Sequence, residues 1–139
     1  MKLIIYSVLL FSIFQFIRCQ LTEKQLQAST KMVRNVCQPK NKVTDAQIDA
    51  MHKGEFPEDR SLMCYMECCL RTARLMKDGK ADLDIMLKQI QTLPESRREP
   101  TIESAMNCKD SITGTEKCEI AYQIYKCLYE DNPDNFFLP

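Results

Sequence analysis

Hydrophobic positions recur along this chain at spacings of three and four residues and almost nowhere at two. After Thr22 and Glu23, the residues Leu26, Thr30, Val33 and Cys37 share one stripe, predicting an amphipathic helix of about four turns that Pro39 stops. Thr44 with Gln47 three positions on has the form of a capping box, so a short second helix is expected to carry Ile48, Met51 and His52 on one face and to end at Gly54. Between about Asp59 and Met76, the residues Leu62, Met63, Met66, Leu70, Ala73 and Met76 repeat at helical spacing, and Asp78-Gly79 supplies the break. Asp82 caps a fourth segment with Leu83, Met86, Leu87 and Ile90 on its stripe, closed by Leu93-Pro94. Pro100 in a first turn ahead of Ile102, Ala105 and Met106 predicts a fifth helix reaching Cys108, and the charged run Glu95-Ser96-Arg97-Arg98-Glu99 before it reads as a solvated linker. On a sixth helix, after Gly114-Thr115, Ile120, Ile124 and Leu128 form one stripe and Tyr122, Tyr125 and Tyr129 another, until Asn132-Pro133 ends it. The pattern predicts an all-α domain of six helices.

Two features exceed what a plain helical bundle needs. The tail after Pro133 closes on Phe136-Phe137-Leu138-Pro139, apolar where a solvated terminus is polar, and is expected to dock on the domain. Beyond the first residue, seven methionines (Met32, Met51, Met63, Met66, Met76, Met86 and Met106) supply the flexible side chain suited to a wall that accepts more than one shape. Together with the tyrosine stripe they point to a lined apolar cavity.

Composition narrows the class. Residues 1–19 place Lys2 before an apolar run from Leu3 to Ile17 and then Arg18-Cys19, the form of a secretory signal peptide. The run is too short for a membrane anchor. Cleavage after Cys19 leaves one domain over 20–139, with its tail at 133–139, and removes two of the 19 basic residues, so 17 face 19 acidic ones. Lys and Arg are scattered, which gives no footprint for nucleic acid. A secreted compartment is oxidising, and cleavage leaves seven cysteines there: Cys37, Cys64, Cys68, Cys69, Cys108, Cys118 and Cys127. Six pair and one is spare, with fifteen connectivities open for any six. Cys64 and Cys68 stand one helical turn apart on the same face, whereas Cys118 and Cys127 point to opposite sides of theirs.

Catalytic signatures do not occur. The chain holds no GxSxG, HExxH, GxGxxG or P-loop, and three glycines cannot build a phosphate cradle. His52 is the single histidine, which leaves no multi-histidine metal site, and Asp78-Gly79-Lys80-Ala81-Asp82 lacks calcium-loop spacing and reads as a turn and a cap.

With Cys69 set aside, the cysteines run Cys37, 26 residues, Cys64, three residues, Cys68, 39 residues, Cys108, nine residues, Cys118, eight residues, Cys127. That spacing, with Leu62-Met63-Cys64-Tyr65, resembles the six-cysteine insect odorant-binding proteins, the pheromone and general odorant-binding family, across the whole mature chain. The resemblance implies six helices round an enclosed apolar pocket, and disulfides Cys37–Cys68, Cys64–Cys118 and Cys108–Cys127. Cys69 departs from the family pattern and is expected to be a buried free thiol, the alternatives being that it competes with Cys68 for Cys37 or links two chains as a homodimer.

The resemblance also implies a function: a secreted carrier, not an enzyme and without metal or cofactor, that takes small hydrophobic odorants or pheromones through sensillum lymph toward an olfactory receptor. Long-chain alcohols, aldehydes and esters are the expected ligands. Walls are expected from Leu62, Met66, Leu70, Leu83, Met86, Ile90, Met106, Ile120 and Ile124, with Tyr122, Tyr125 and Tyr129 offering hydroxyls. Phe136, Phe137 and Leu138 resemble a lid, expected to loosen at low pH as Asp131, Asp134 or the terminal carboxylate is protonated. The alternatives are a carrier of non-odour ligands such as a hormone, lipid or cuticular compound, and a ligand-free secreted interaction protein.

Overall fold

Helix α1 (Glu23–Asn41) begins where Thr22 Oγ1 accepts from the Gln25 N–H and the Gln25 side chain accepts from the Thr22 N–H in return. It runs through Pro39 instead of stopping there. Proline in a last turn removes one backbone bond, and the neighbouring carbonyls find donors in Asn41 Nδ2 and in the N–H groups of Lys42 and Val43. Lys42, at φ 56°, turns the chain out of the helix. The computed structural model describes residues 20–139, and the signal peptide assigned to residues 1–19 lies outside them.

A second capping box at Thr44 opens α2 (Asp45–Met51), which buries Ile48 and Met51 completely. His52 caps its C-terminal end and stays exposed, off the buried face. Asp59 then caps α3 (Arg60–Thr72), whose buried positions run unbroken from Tyr65 to Leu70. A helix covered on so much of its circumference is central, and α3 packs most extensively on α6 and next on α1. It ends four residues short of Met76, because Arg74 takes a left-handed conformation and the Leu75 N–H turns back to the Leu70 carbonyl.

Met76 enters a two-stranded hairpin that helical periodicity did not predict, β1 (Met76–Lys77) against β2 (Lys80–Ala81). Asp78 and Gly79 both have positive φ, 52° and 76°, as the tightest hairpin turn requires. The fold class remains all-α, completed by α4 (Leu83–Ile90), α5 (Glu95–Cys108) and α6 (Lys117–Asp131). The charged run 95–99, expected as a linker, is the start of α5. Ser96 Oγ and Arg97 Nε both reach the Glu23 carboxylate at 3.0 Å, tying that turn to the start of α1. Pro100 therefore sits inside α5, and the next residue, Thr101, bonds the Arg97 carbonyl through its hydroxyl.

Disulfides join Cys37 to Cys68, Cys64 to Cys118 and Cys108 to Cys127. The two cysteines on one face of α3 thus reach different helices, and the two on opposite sides of α6 reach α3 and α5. Closing stretches of 31, 54 and 19 residues limits the unfolded chain by about 3–4 kcal/mol each. The main core gathers α3 with the inner faces of α1, α2 and α6. A smaller cluster holds Leu26, Ile90, Leu93 and Ala105.

Candidate functional site

Helix α6 separates two different environments. Its aliphatic stripe of Ile120, Ile124 and Leu128, spaced i, i+4, i+8, forms one wall of a cavity of about 330 Å³. Facing it are Leu83 and Met86 from the first turn of α4, Ala105 and Cys108 from the end of α5, and Ala81 from β2. Ile112 and Gly114, from the connection into α6, contribute to the lining. Lys80 and Lys109 complete the lining, and as its exposed members they mark the rim.

Local structure explains why this space stays open. Asp82 accepts from the Ile85 N–H and starts α4 directly after the hairpin, which sets Leu83 and Met86 toward α6. Gln123 Oε1 accepts from the Thr113 and Gly114 N–H groups, both at 2.9 Å, and holds the 109–116 connection on α6. A Cβ at Gly114 would meet Glu119 Cγ at 3.0 Å, so any larger residue there would require the Glu119 side chain to give way. Glu116 caps α6 through the Cys118 and Glu119 N–H groups and pairs with Arg60 at 2.6 Å, an arrangement that lowers its pKa, chiefly through the Arg60 hydrogen bond. The Cys108–Cys127 bond pins the end of α5 beside it.

The tyrosine stripe of α6 looks the other way. Tyr122 OH donates to the Phe56 carbonyl at 2.7 Å, and Tyr125 and Tyr129 pack on Phe136 with ring centroids 6.1 and 5.2 Å apart. Phe136 is the hub of an aromatic cluster that also takes in Phe56 and the His52 ring. Leu138 is buried in the main core, and Tyr65 OH donates to the Pro139 carbonyl. Phe137 packs on the smaller cluster under the Arg97 guanidinium. The tail is therefore part of the core on the far side of α6 and lines no part of this cavity. Asp131, one of the carboxylates expected to hold it, instead accepts from Asn107 of α5 at 2.9 Å.

Of the residues expected as walls, Leu83, Met86, Ile120 and Ile124 meet in the cavity. Leu62, Met66 and Leu70 are sealed within the main core, and Ile90 lies in the smaller cluster. Met106 is 41% exposed, because the inner face of α5 is set by Thr101, Ser104, Ala105 and Cys108, and the next position turns about 100° away. Methionine abundance was a poor guide: Met86 alone among them lines the cavity, Met32 is exposed, and Met51, Met66 and Met76 fill core. Leu128 was legible as the third member of its stripe. Lys80, Ala81, Lys109 and Ile112 carried no periodic signal, since a turn and a loop bring them in.

Cys69 is a buried free thiol. Burial pushes its pKa up to about 12 and raises Tyr65 and Tyr125 as well. These groups stay neutral at physiological pH. Among the described residues no set of His, Cys, Asp and Glu could hold a metal ion, and no helix is long and apolar enough to cross a membrane.

The profile of the PBP/GOBP family matches residues 19–131. General odorant-binding protein 72 of Anopheles gambiae is 32% identical over 119 residues, covering 84% of this chain and 98% of that protein. General odorant-binding protein 19a of Drosophila melanogaster is 32% identical over 123 residues, covering 85% of this chain and 84% of that one. Among solved structures, odorant binding protein 4 of Chrysopa pallens superposes with a TM-score of 0.81 at 46% identity, across 86% of this chain and all of that one. Odorant binding protein 5 of Apis mellifera gives the same TM-score at 30% identity, across 86% and 99%.

Proposed function

This chain belongs to the PBP/GOBP family, whose members are carriers of small hydrophobic ligands, and from that premise we propose that it is secreted and transports an odorant or pheromone through aqueous lymph toward an olfactory receptor. The observation that carries the reading is the aliphatic cavity between α4, α5 and α6, held by a disulfide and a clamped loop. An apolar ligand entering it leaves water, which contributes about 25 cal/mol per Å² of apolar surface before ordering costs. In this reading the protein's part is to dissolve, protect and release its cargo unchanged.

The test is titration of the secreted, disulfide-intact protein with N-phenyl-1-naphthylamine, followed by displacement with ten- to twelve-carbon alcohols, aldehydes and esters. Saturable binding at one site, reversed by these compounds and weakened at least tenfold in Ile120→Trp, is expected. A protein that is helical by circular dichroism yet binds no probe overturns the carrier reading and favours a ligand-free interaction protein. Secretion is tested by sequencing the exported protein, whose first residue is expected within two positions of Gln20.

A further inference from the structure

The charge on the cavity's lining is one-sided. Lys80 and Lys109 are its two ionised residues, no carboxylate lines it, and among the described residues neither lysine is ion-paired. Nearby acidic groups are engaged elsewhere: Asp82 caps α4, Glu116 pairs with Arg60, and Glu119 accepts from the Thr115 N–H. Asp78 and Asp110 adjoin in sequence but are not lining residues. The site thus combines aliphatic walls with a cationic rim.

We propose that the cavity takes an amphiphile with an anionic head, an aliphatic carboxylate of about ten carbons. The inference rests on the carrier reading and names its ligand class. A volume of 330 Å³ corresponds to about eleven waters at ~30 Å³ each, and a methylene takes about as much, so the dozen or so heavy atoms of decanoate fill it. Orientation follows from solvation. A carboxylate pushed among Leu83, Met86, Ile120 and Ile124 would lose its water with no partner, whereas at the rim, where the exposed lysines lie, it keeps water in a field of positive charge. An alkylammonium head would meet like charge at the same place.

Competition against N-phenyl-1-naphthylamine at pH 8 and low ionic strength, with decanoate, decan-1-ol and decylammonium, tests this in the secreted protein and in two double variants. Decanoate is expected to bind about fivefold more tightly than decan-1-ol, with decylammonium weakest, and the preference should shrink in 0.5 M salt. Lys80→Met with Lys109→Met should erase the preference of decanoate over decan-1-ol. Lys80→Arg with Lys109→Arg should retain it. Both positions are exposed, so neither pair threatens folding. Decan-1-ol binding as tightly as decanoate, or a preference surviving the methionine variant, overturns the assignment and leaves the carrier reading standing. Failure of all three compounds to displace the probe overturns both.

Discussion

Leu138→Ala tests how the apolar tail is held. Leu138 is 4% exposed in the main core, so the substitution removes three buried carbons, a loss of about 2.4 kcal/mol at ~0.8 per methylene. A cavity cost usually adds to such a change, but here the loss has a ceiling. The tail follows the 133–135 turn and can leave the core without the helices unfolding, so the penalty cannot exceed the free energy that docks it. The readout is therefore local: chymotrypsin cuts after Phe136 and Phe137 only when the tail is out, and mass spectrometry follows loss of the last residues. With reclosing faster than cleavage, the clipping rate tracks the undocked population. At 1.4 kcal/mol per factor of ten, the rate should rise about fiftyfold, while the free energy of global unfolding in urea falls by no more than the same amount. A rate within threefold of wild type would refute the argument, because Leu138 burial would not then be what holds the tail.

Three further outcomes follow from the same packing. Gly54→Ala should destabilise by about 2–4 kcal/mol in urea unfolding, since φ is +88° and a Cβ would lie 2.6 Å from the Tyr129 ring; Gly79→Ala, where the nearest atom is at 3.4 Å, should lose only the backbone strain of about 1 kcal/mol. The His52 pKa is lowered from 6.5, first by desolvation and then by Arg34, with Asp49 opposing. The unfolded chain thus binds the proton more readily, and stability should fall as pH drops below about 6.5 toward the lower folded value. His52→Gln should flatten that window in urea midpoints measured from pH 7.5 to 5. Cys69, buried with its pKa near 12, should react with Ellman's reagent in the native protein only as fast as the chain opens, and the native protein should run as a monomer on a non-reducing gel; rapid labelling or a reducible dimer would contradict its place in the core.

Much of this protein was legible in one dimension because its signals are local. A capping box at Thr44-Gln47 and aspartate caps at Asp59 and Asp82 act within one turn, so the starts of α2, α3 and α4 fall where the residues say. Cysteine spacing carries the family resemblance, and that resemblance in turn implied the pairing, since periodicity alone left fifteen choices. Two errors of boundary share one cause: proline was taken as a stop at Pro39 and a start at Pro100, while local donors to the Cys37 and Gln38 carbonyls at the first, and the long-range Glu23–Arg97 pair at the second, let the helix continue through each. The Asp78-Gly79 hairpin was missed although both residues were noted, since two-residue strands have no period to detect.

The site divides along the same line. Periodicity along α6 separates an aliphatic stripe from a tyrosine stripe, but does not say which faces empty space. That is decided by what stands opposite: Leu83 and Met86, held off by the clamped loop and the hairpin, leave a cavity on one side, and Phe56, Phe136 and Leu138 fill the other. A helix face has a composition in sequence and acquires a function only from its neighbour. Equally apolar residues such as Met66 and Met86 become core or cavity wall according to whether long-range packing brings an atom against them, and no local rule encodes that distance.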